Sequence, residues 1–370
     1  MSAQIRSNQP ELRALTSVRG IAAWFVVLYH IRRSIDGLSE TALHIFAKGY
    51  LAVDFFFLLS GFVIWLTYGE RLRTGGVASV HAFLKRRIAR IWPLHLFMLA
   101  IAVALALLLA ATGRHDANDY PFAELPLHVF LVQDWGLTSQ LSWNDPAWSI
   151  SAELAAYLLF PLLAIHIDWR RVPTALVIAA IVAMLGLLHL IMAWAGAPTL
   201  GTDITRFGVV RCLFEFAAGT AICALWLRWA ERPALPAIVA AALALALGAA
   251  TLTGHLPETL GVPIAFAAAL LGLALTCGMR GNVLEAAPLH YLGEISYATY
   301  LGHFILWQVF KLAFVSDAYA VPWPLIALFL ALVLMASVSL YHLVERPAQK
   351  WVNALPPYAK GAKRPEPLRP

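Results

Sequence analysis

Along the chain, apolar residues gather in near-continuous blocks separated by short polar stretches. They do not form the one-sided stripes of a soluble helical protein. Blocks of about twenty residues match the hydrocarbon thickness of a bilayer at 1.5 Å per residue. The pattern predicts about ten spanning helices, near 14–32, 48–68, 90–112, 147–167, 172–195, 206–229, 234–254, 259–279, 288–314 and 323–345. A further apolar piece near 125–137 is too short to span and reads as re-entrant or interfacial. The blocks 234–254 and 259–279 are Ala/Leu-rich with almost no functional groups, and read as scaffold. The expected fold class is therefore all-α, a polytopic integral membrane protein. The run Ile21 to Tyr29 follows Arg13 and Arg19, but Arg32 and Arg33 come next, where a signal cleavage site needs small residues. A retained first span is expected.

Composition strengthens this reading. Of the 370 residues, 61% are hydrophobic and 13% charged, against about 45–50% and 25% in soluble domains. Thirteen Trp and eleven Tyr suit two membrane interfaces. The net charge of +6 does not point to nucleic acid, because the basic residues lie in the loops between blocks and report topology. With the N-terminus cytoplasmic, the inner connections carry Arg71, Arg73, Lys85, Arg86 and Arg87, then Arg170 and Arg171, Arg228 and Arg232, and Arg280. The longest outer connection, 113–146, sets Arg114 against Asp116, Asp119, Glu124, Asp134 and Asp145. Both termini are expected in the cytoplasm. The domain is read as 12–352, followed by a Pro- and Lys-rich, disordered cytoplasmic tail over 353–370. Cys212, Cys223 and Cys277 lie inside apolar blocks without paired spacing and read as buried thiols.

Ionisable groups within spans are costly and mark function by default. Arg19 and His30 stand eleven residues apart on the first span, on nearly one face and about 16 Å apart along the axis. Histidine is the usual general base near neutral pH. Alternatively, Arg19 snorkels and His30 packs against a polar neighbour. In the run Lys85-Arg86-Arg87-Ile-Ala-Arg90, Arg87 and Arg90 share a helix face. Paired guanidiniums suit a phosphate-rich ligand, or serve only as a topological anchor. Ser151, Glu153 and Tyr157 cluster near the outer end of their span. Glu153 and Tyr157, at i and i+4, face one way, and Glu153 is a candidate partner for His30, much as a carboxylate orients histidine in hydrolase triads. Ser296, Tyr300 and His303 form a polar stripe at i, i+4 and i+7. Asp54 is a further intramembrane acid before a Phe-rich run that ends near Ser60, and Glu345-Arg346 reads as a charge pair at the end of the last span. There is no GxSxG, P-loop, HExxH or GxGxxG, and the twelve histidines lack metal-ligand spacing, so no metal is expected.

In their order along the chain, these segments resemble acyltransferase family 3. The matching pieces are Leu15-Thr-Ser-Val-Arg19-Gly20 with His30, Val53-Asp54-Phe-Phe-Phe-Leu-Leu-Ser60-Gly61-Phe62, and Lys85-Arg86-Arg87-Ile-Ala-Arg90-Ile-Trp-Pro93. They continue with Trp148-Ser-Ile-Ser151-Ala-Glu153 and Tyr157, Ile295-Ser296-Tyr297 with Tyr300 and His303, and Glu345-Arg346-Pro347. Where the family often carries Asp-Gly before the first motif, Thr16 and Ser17 stand here. The resemblance implies a multi-pass acyltransferase of the bacterial cytoplasmic membrane, many relatives being O-acetyltransferases of exported or surface glycans such as exopolysaccharide and lipopolysaccharide. It implies an acyl-CoA co-substrate, acetyl-CoA favoured, with Arg86, Arg87 and Arg90 on its phosphates and Arg19 near the thioester. His30 is implied as general base and Glu153 as its partner. Asp54, Ser60, Ser151, Tyr157, Ser296, Tyr300 and His303 are implied to line the substrate cavity. The acceptor is expected to be a carbohydrate or lipid-linked glycan at the outer face, reached directly or through a separate extracytoplasmic acyl-handling partner. The alternative is a secondary transporter of an anionic or lipid-linked substrate, which commonly shows repeated, matched broken helices; no such pairing is visible. A non-catalytic membrane scaffold leaves the intramembrane Arg, His and Glu unexplained.

Overall fold

The computed structural model describes residues 12–114 and 116–355. Most of the tail assigned above, 356–370, lies outside the described residues. Helices are α1 (Arg13–Ile31), α2 (Glu40–Ala47), α3 (Ala52–Ala111), α4 (Leu125–Phe130), α5 (Ala147–His166) and α6 (Thr174–Trp194). They continue as α7 (Ile204–Trp229), α8 (Ala234–Leu252), α9 (Glu258–Leu275), α10 (Ala287–Glu294), α11 (Ser296–Phe314), α12 (Trp323–Leu340) and α13 (Arg346–Ala354). No β-strand forms among the described residues. Eight helical stretches among them are long and apolar enough to cross a membrane, and the protein is a multi-pass membrane protein.

Each predicted block falls on a helix, with two differences. The blocks 48–68 and 90–112 belong to one helical run of 60 residues, α3, broken at Gly76 (φ 59°, ψ −156°). Only glycine adopts that conformation without strain. The chain folds back there, because the Tyr68 and Phe83 rings meet at 5.1 Å on opposite sides of the break. The block 288–314 is divided at Ile295 into α10 and α11. The polar stripe of α11 keeps it out of the eight most apolar stretches.

Among the described residues, α3 and α7 form the most extensive helix interface. It is reciprocal: a Cβ on Gly61 would strike the backbone of Phe216, and one on Gly219 that of Leu58. Small residues let backbones approach closely where lipid offers no hydrophobic drive. Gly61→Val is expected to cost roughly 1–3 kcal/mol by overpacking. Its melting midpoint in detergent should fall well below that of Gly186→Ala, a helical position where a Cβ meets nothing within 4 Å. Equal midpoints would show that this approach does not hold the bundle together.

α8 leaves Leu235, Ile238, Val239, Leu245 and Leu252 more than half exposed, a face suited to lipid, while α9 behind it is largely buried. At the start of α9, just before the block 259–279, Glu258 ties it to neighbouring segments, accepting from Lys48 Nζ (2.6 Å), the Tyr50 hydroxyl and Leu200 N (3.0 Å). The segment 125–137 holds only the short helix α4 and then turns at Leu131 (φ 57°). It is tied to the bundle by Trp92 Nε1 donating to Val129 O (2.7 Å) and Ser151 Oγ donating to Leu131 O (2.8 Å). Several basic side chains assigned to topology also cap helix ends. Arg73 donates to Ala164 O (3.1 Å), and Arg228 donates to Thr174 Oγ1 (2.7 Å) and Trp169 O (2.8 Å). The three cysteines are unpaired, with Cys212 and Cys223 buried.

Candidate active site

A cavity of about 180 Å³ opens between α1, α3, α5 and α11. Of the residues singled out from sequence, Arg19, Ser60, Arg87, Arg90, Glu153, Tyr157, Ser296 and Tyr300 line it. Four separate helices contribute them, and helical period explains how. Glu153 and Tyr157 are one turn apart on α5, and Ser296 and Tyr300 one turn apart on α11, so each pair shares a face. Arg87 and Arg90 do the same on the returning half of α3. Aromatic and aliphatic groups (Phe56, Phe57, Ile64) complete the wall.

The basic side of the cavity is held in place by specific partners. Arg19 donates to Ser296 Oγ (3.1 Å), which donates onward to Gly293 O (2.8 Å). Arg19 thus has a fixed setting without the Asp-Gly pair. Arg87 lies over the rings of Tyr68 (5.3 Å) and Tyr157 (5.9 Å), and its buried Nε has no partner among the described residues. Arg90 stacks on Tyr297 (5.1 Å) and forms an ion pair with Glu345. A guanidinium carries five N–H donors, so Arg90 keeps donors beyond that pair. A second hollow of about 250 Å³ adjoins, lined by Thr16, His290, Glu294, Glu345 and Arg346, and shares Arg19 and Arg90 with the first. Its wall includes a π-helical turn, Tyr341–Glu345, which places Glu345 against Arg90. Such bulges cluster at functional sites.

Across the cavity, Glu153 accepts a hydrogen bond from Ser60 Oγ, and Tyr300 Oη pairs with Ser149 Oγ at 2.8 Å. Among the described residues, Glu153 is the only carboxylate on this wall.

Several placements differ from expectation. Glu153 does not pair with His30; its partner is Ser60, one turn along its own face of α3 from the Phe-rich run. His30 is half-buried and packs beside the cavity, with His303 Nε2 at 3.1 Å from its Nδ1. His303 is buried against His30 and is not on the cavity wall. Ser151 is also buried off the wall, because its hydroxyl anchors Leu131 and Asp134. Arg86 is exposed and points away, one residue before the face that Arg87 and Arg90 share. Asp54 does not reach the cavity: Arg211 grips it as a fork, Nε to Oδ1 at 3.1 Å and one terminal nitrogen to Oδ1 and Oδ2 at 2.7 and 2.9 Å. Glu345 and Arg346 are not a mutual pair. Glu345 turns inward to Arg90, and Arg346 lies over Tyr341 (5.5 Å).

Arg211 is the residue that sequence reasoning missed. Its signal was present: Arg211 and Glu215 are a charged i, i+4 pair within the apolar block 206–229. Tyr297 also belongs to the site, beneath Arg90. Among the described residues, no group of three or more His, Cys, Asp or Glu could hold a metal.

Comparison with known proteins adds to this geometry. An acyltransferase domain family matches residues 12–342. The acyltransferase MdmB of Streptomyces mycarofaciens is 33% identical over 380 aligned positions, covering 94% of each chain. The putative membrane-bound transacylase BcsY of Komagataeibacter xylinus is 26% identical, covering 89% of this chain and 86% of its own. The O-acetyltransferase OatA of Staphylococcus aureus is 25% identical, covering 92% of this chain and 57% of its own. No solved structure matches.

Proposed function

Because the chain belongs to the acyltransferase domain family, and is a membrane-bound O-acyltransferase, we propose that it moves an acetyl group from cytoplasmic acetyl-CoA to a hydroxyl of a carbohydrate acceptor at the outer face of the bacterial cytoplasmic membrane. One observation carries the reading: three guanidiniums, Arg19, Arg87 and Arg90, share one cavity with a carboxylate and several hydroxyls. Guanidinium forks match the geometry and charge of phosphate. A cavity of about 180 Å³ is small beside whole-ligand pockets of roughly 300–1,000 Å³. It suits the acyl end of the donor, with the CoA phosphates at Arg87, Arg90 and the adjoining hollow.

In this reading Arg19 positions the donor near its thioester. His30 takes the proton of the acceptor hydroxyl as that oxygen attacks the acyl carbonyl. The carbon–sulfur bond then breaks, and CoA leaves with its electron pair and is protonated. A thioester is already activated, so positioning and one base suffice. Both termini lie in the cytoplasm, as the positive-inside pattern requires.

The test needs no acceptor. The melting midpoint of the detergent-purified protein is measured with acetyl-CoA, succinyl-CoA, a long-chain acyl-CoA and free CoA. Ligand at about 100 times its dissociation constant stabilises by about 2.7 kcal/mol. A shift largest for acetyl-CoA, and lost in Arg87→Ala/Arg90→Ala, is the expected result. No shift with any CoA would overturn the donor assignment. Transfer itself is read as radiolabel passing from acetyl-CoA into the glycan fraction of the host's membranes; label confined to lipid would overturn the acceptor class.

A further inference from the structure

Two histidines from different helices meet beside the cavity, and their surroundings decide which nitrogens carry protons. His30 Nδ1 lies 3.0 Å from Val26 O and 3.1 Å from His303 Nε2. His303 Nδ1 lies 3.0 Å from Thr299 O. A backbone carbonyl can only accept, so each of these Nδ1 atoms carries a hydrogen. The neutral His303 ring then has a bare lone pair on Nε2, and that lone pair faces the His30 Nδ1–H. The His30 proton is shared between two acceptors, Val26 O and His303 Nε2, an arrangement common near helix backbones. His30 Nε2 is left as a lone pair, with no hydrogen-bond partner among the described residues.

We propose that His303 is the positioning residue of His30, doing with a neutral imidazole what Glu153 was expected to do with a carboxylate. This rests on the reading of His30 as the base. Three packing contacts fix the pair. The His30 and His303 rings are 4.9 Å apart, and Phe304 and Tyr29 each meet the His30 ring edge-on, at 5.4 and 5.0 Å. The pair is joined to the cavity through Tyr300, which lines the wall and lies 6.3 Å from the His303 ring. When His30 Nε2 takes the acceptor proton, the positive charge is delocalised to Nδ1–H, and the His303 lone pair stabilises it. The role matches that of the orienting group in a hydrolase triad, which fixes the tautomer and steadies the imidazolium without taking a proton itself.

The measurement is nitrogen-15 magnetic resonance on histidine-labelled protein in lipid nanodiscs, with His30→Gln and His303→Gln spectra to assign the rings. The expected signature is a protonated His30 Nδ1 correlated across the hydrogen bond with an unprotonated His303 Nε2. In His303→Leu the correlation vanishes, and label transfer to glycan falls by roughly ten- to a hundredfold, the worth of a hydrogen bond to a charged group, at an unchanged KM for acetyl-CoA. His303→Gln, which keeps an acceptor oxygen, recovers much of the loss. A protonated His303 Nε2, an absent correlation in the wild-type protein, or wild-type transfer by His303→Leu would overturn the proposal. The wild-type spectrum keeps the test decisive if His303→Leu does not insert. Failure of the donor reading is distinguishable: acetyl-CoA then gives no thermal shift, while the His30–His303 correlation persists.

Discussion

His30→Ala should lower acyl transfer by roughly a hundred- to ten-thousandfold, the usual contribution of a positioned general base, while acetyl-CoA still raises the melting midpoint as in the parent protein. The two readouts separate because the candidate phosphate ligands have other partners: Arg87 lies over Tyr68 and Tyr157, and Arg90 meets Tyr297 and Glu345, not His30 or His303. The variant also discriminates between two bases. Glu153 lines the cavity directly, whereas His30 is off the wall and connects to the wall residue Tyr300 through His303. If Glu153 took the proton, Glu153→Gln would be the crippling change and His30→Ala the mild one. His30 is favoured because Ser60 already occupies an oxygen of Glu153, while His30 Nε2 has no partner among the described residues. Wild-type transfer by His30→Ala would end the assignment.

The second large effect is on stability. Arg211→Met should destabilise the protein by about 3–5 kcal/mol, the cost of leaving a buried charge without its partner. Arg211 is 1% exposed and Asp54 fully buried, so no water relieves the orphaned carboxylate. The same substitution should be far milder when Asp54 is removed with it. Arg211→Met/Asp54→Leu replaces the pair with apolar side chains, which is often neutral for buried ion pairs. The coupling between the two changes is read from melting midpoints of both single variants and the double variant. Simple additivity would mean that the fork contributes no pairwise stability and that Asp54 is buried for another reason.

The position of that fork explains its cost. It joins α3 to α7 about two turns from the reciprocal glycine contact at Gly61 and Gly219, so this interface is both tightly packed and electrostatically pinned. α3 carries Ser60 on one side of this interface and Arg87 and Arg90 after the reversal at Gly76. Both halves of α3 therefore contribute to the cavity wall. Sub-ångström looseness there would separate the groups on α3 from Glu153 on α5 and Arg19 on α1.

The sequence by itself determined the membrane class, the helical blocks and the family, because block length and local spacing are properties of short segments. A run of about twenty apolar residues needs no tertiary context to be recognised. Groups three or four apart on a helix share a face in any fold, which is why Arg87 with Arg90, Glu153 with Tyr157 and Ser296 with Tyr300 all reached one cavity. Partnership between helices was decided only by the tertiary structure. The rotation of each helix about its axis is set by packing, and a turn of a few tens of degrees exchanges one polar neighbour for another. That rotation gave Glu153 to Ser60 rather than His30, gave His303 to His30, and sent Asp54 to Arg211. A single π-helical turn gave Glu345 to Arg90 instead of Arg346. Burial worked in the same direction: a charge within the bundle must find a partner wherever packing brings one, and Arg211, read as one residue of an apolar block, became the partner that Asp54 required.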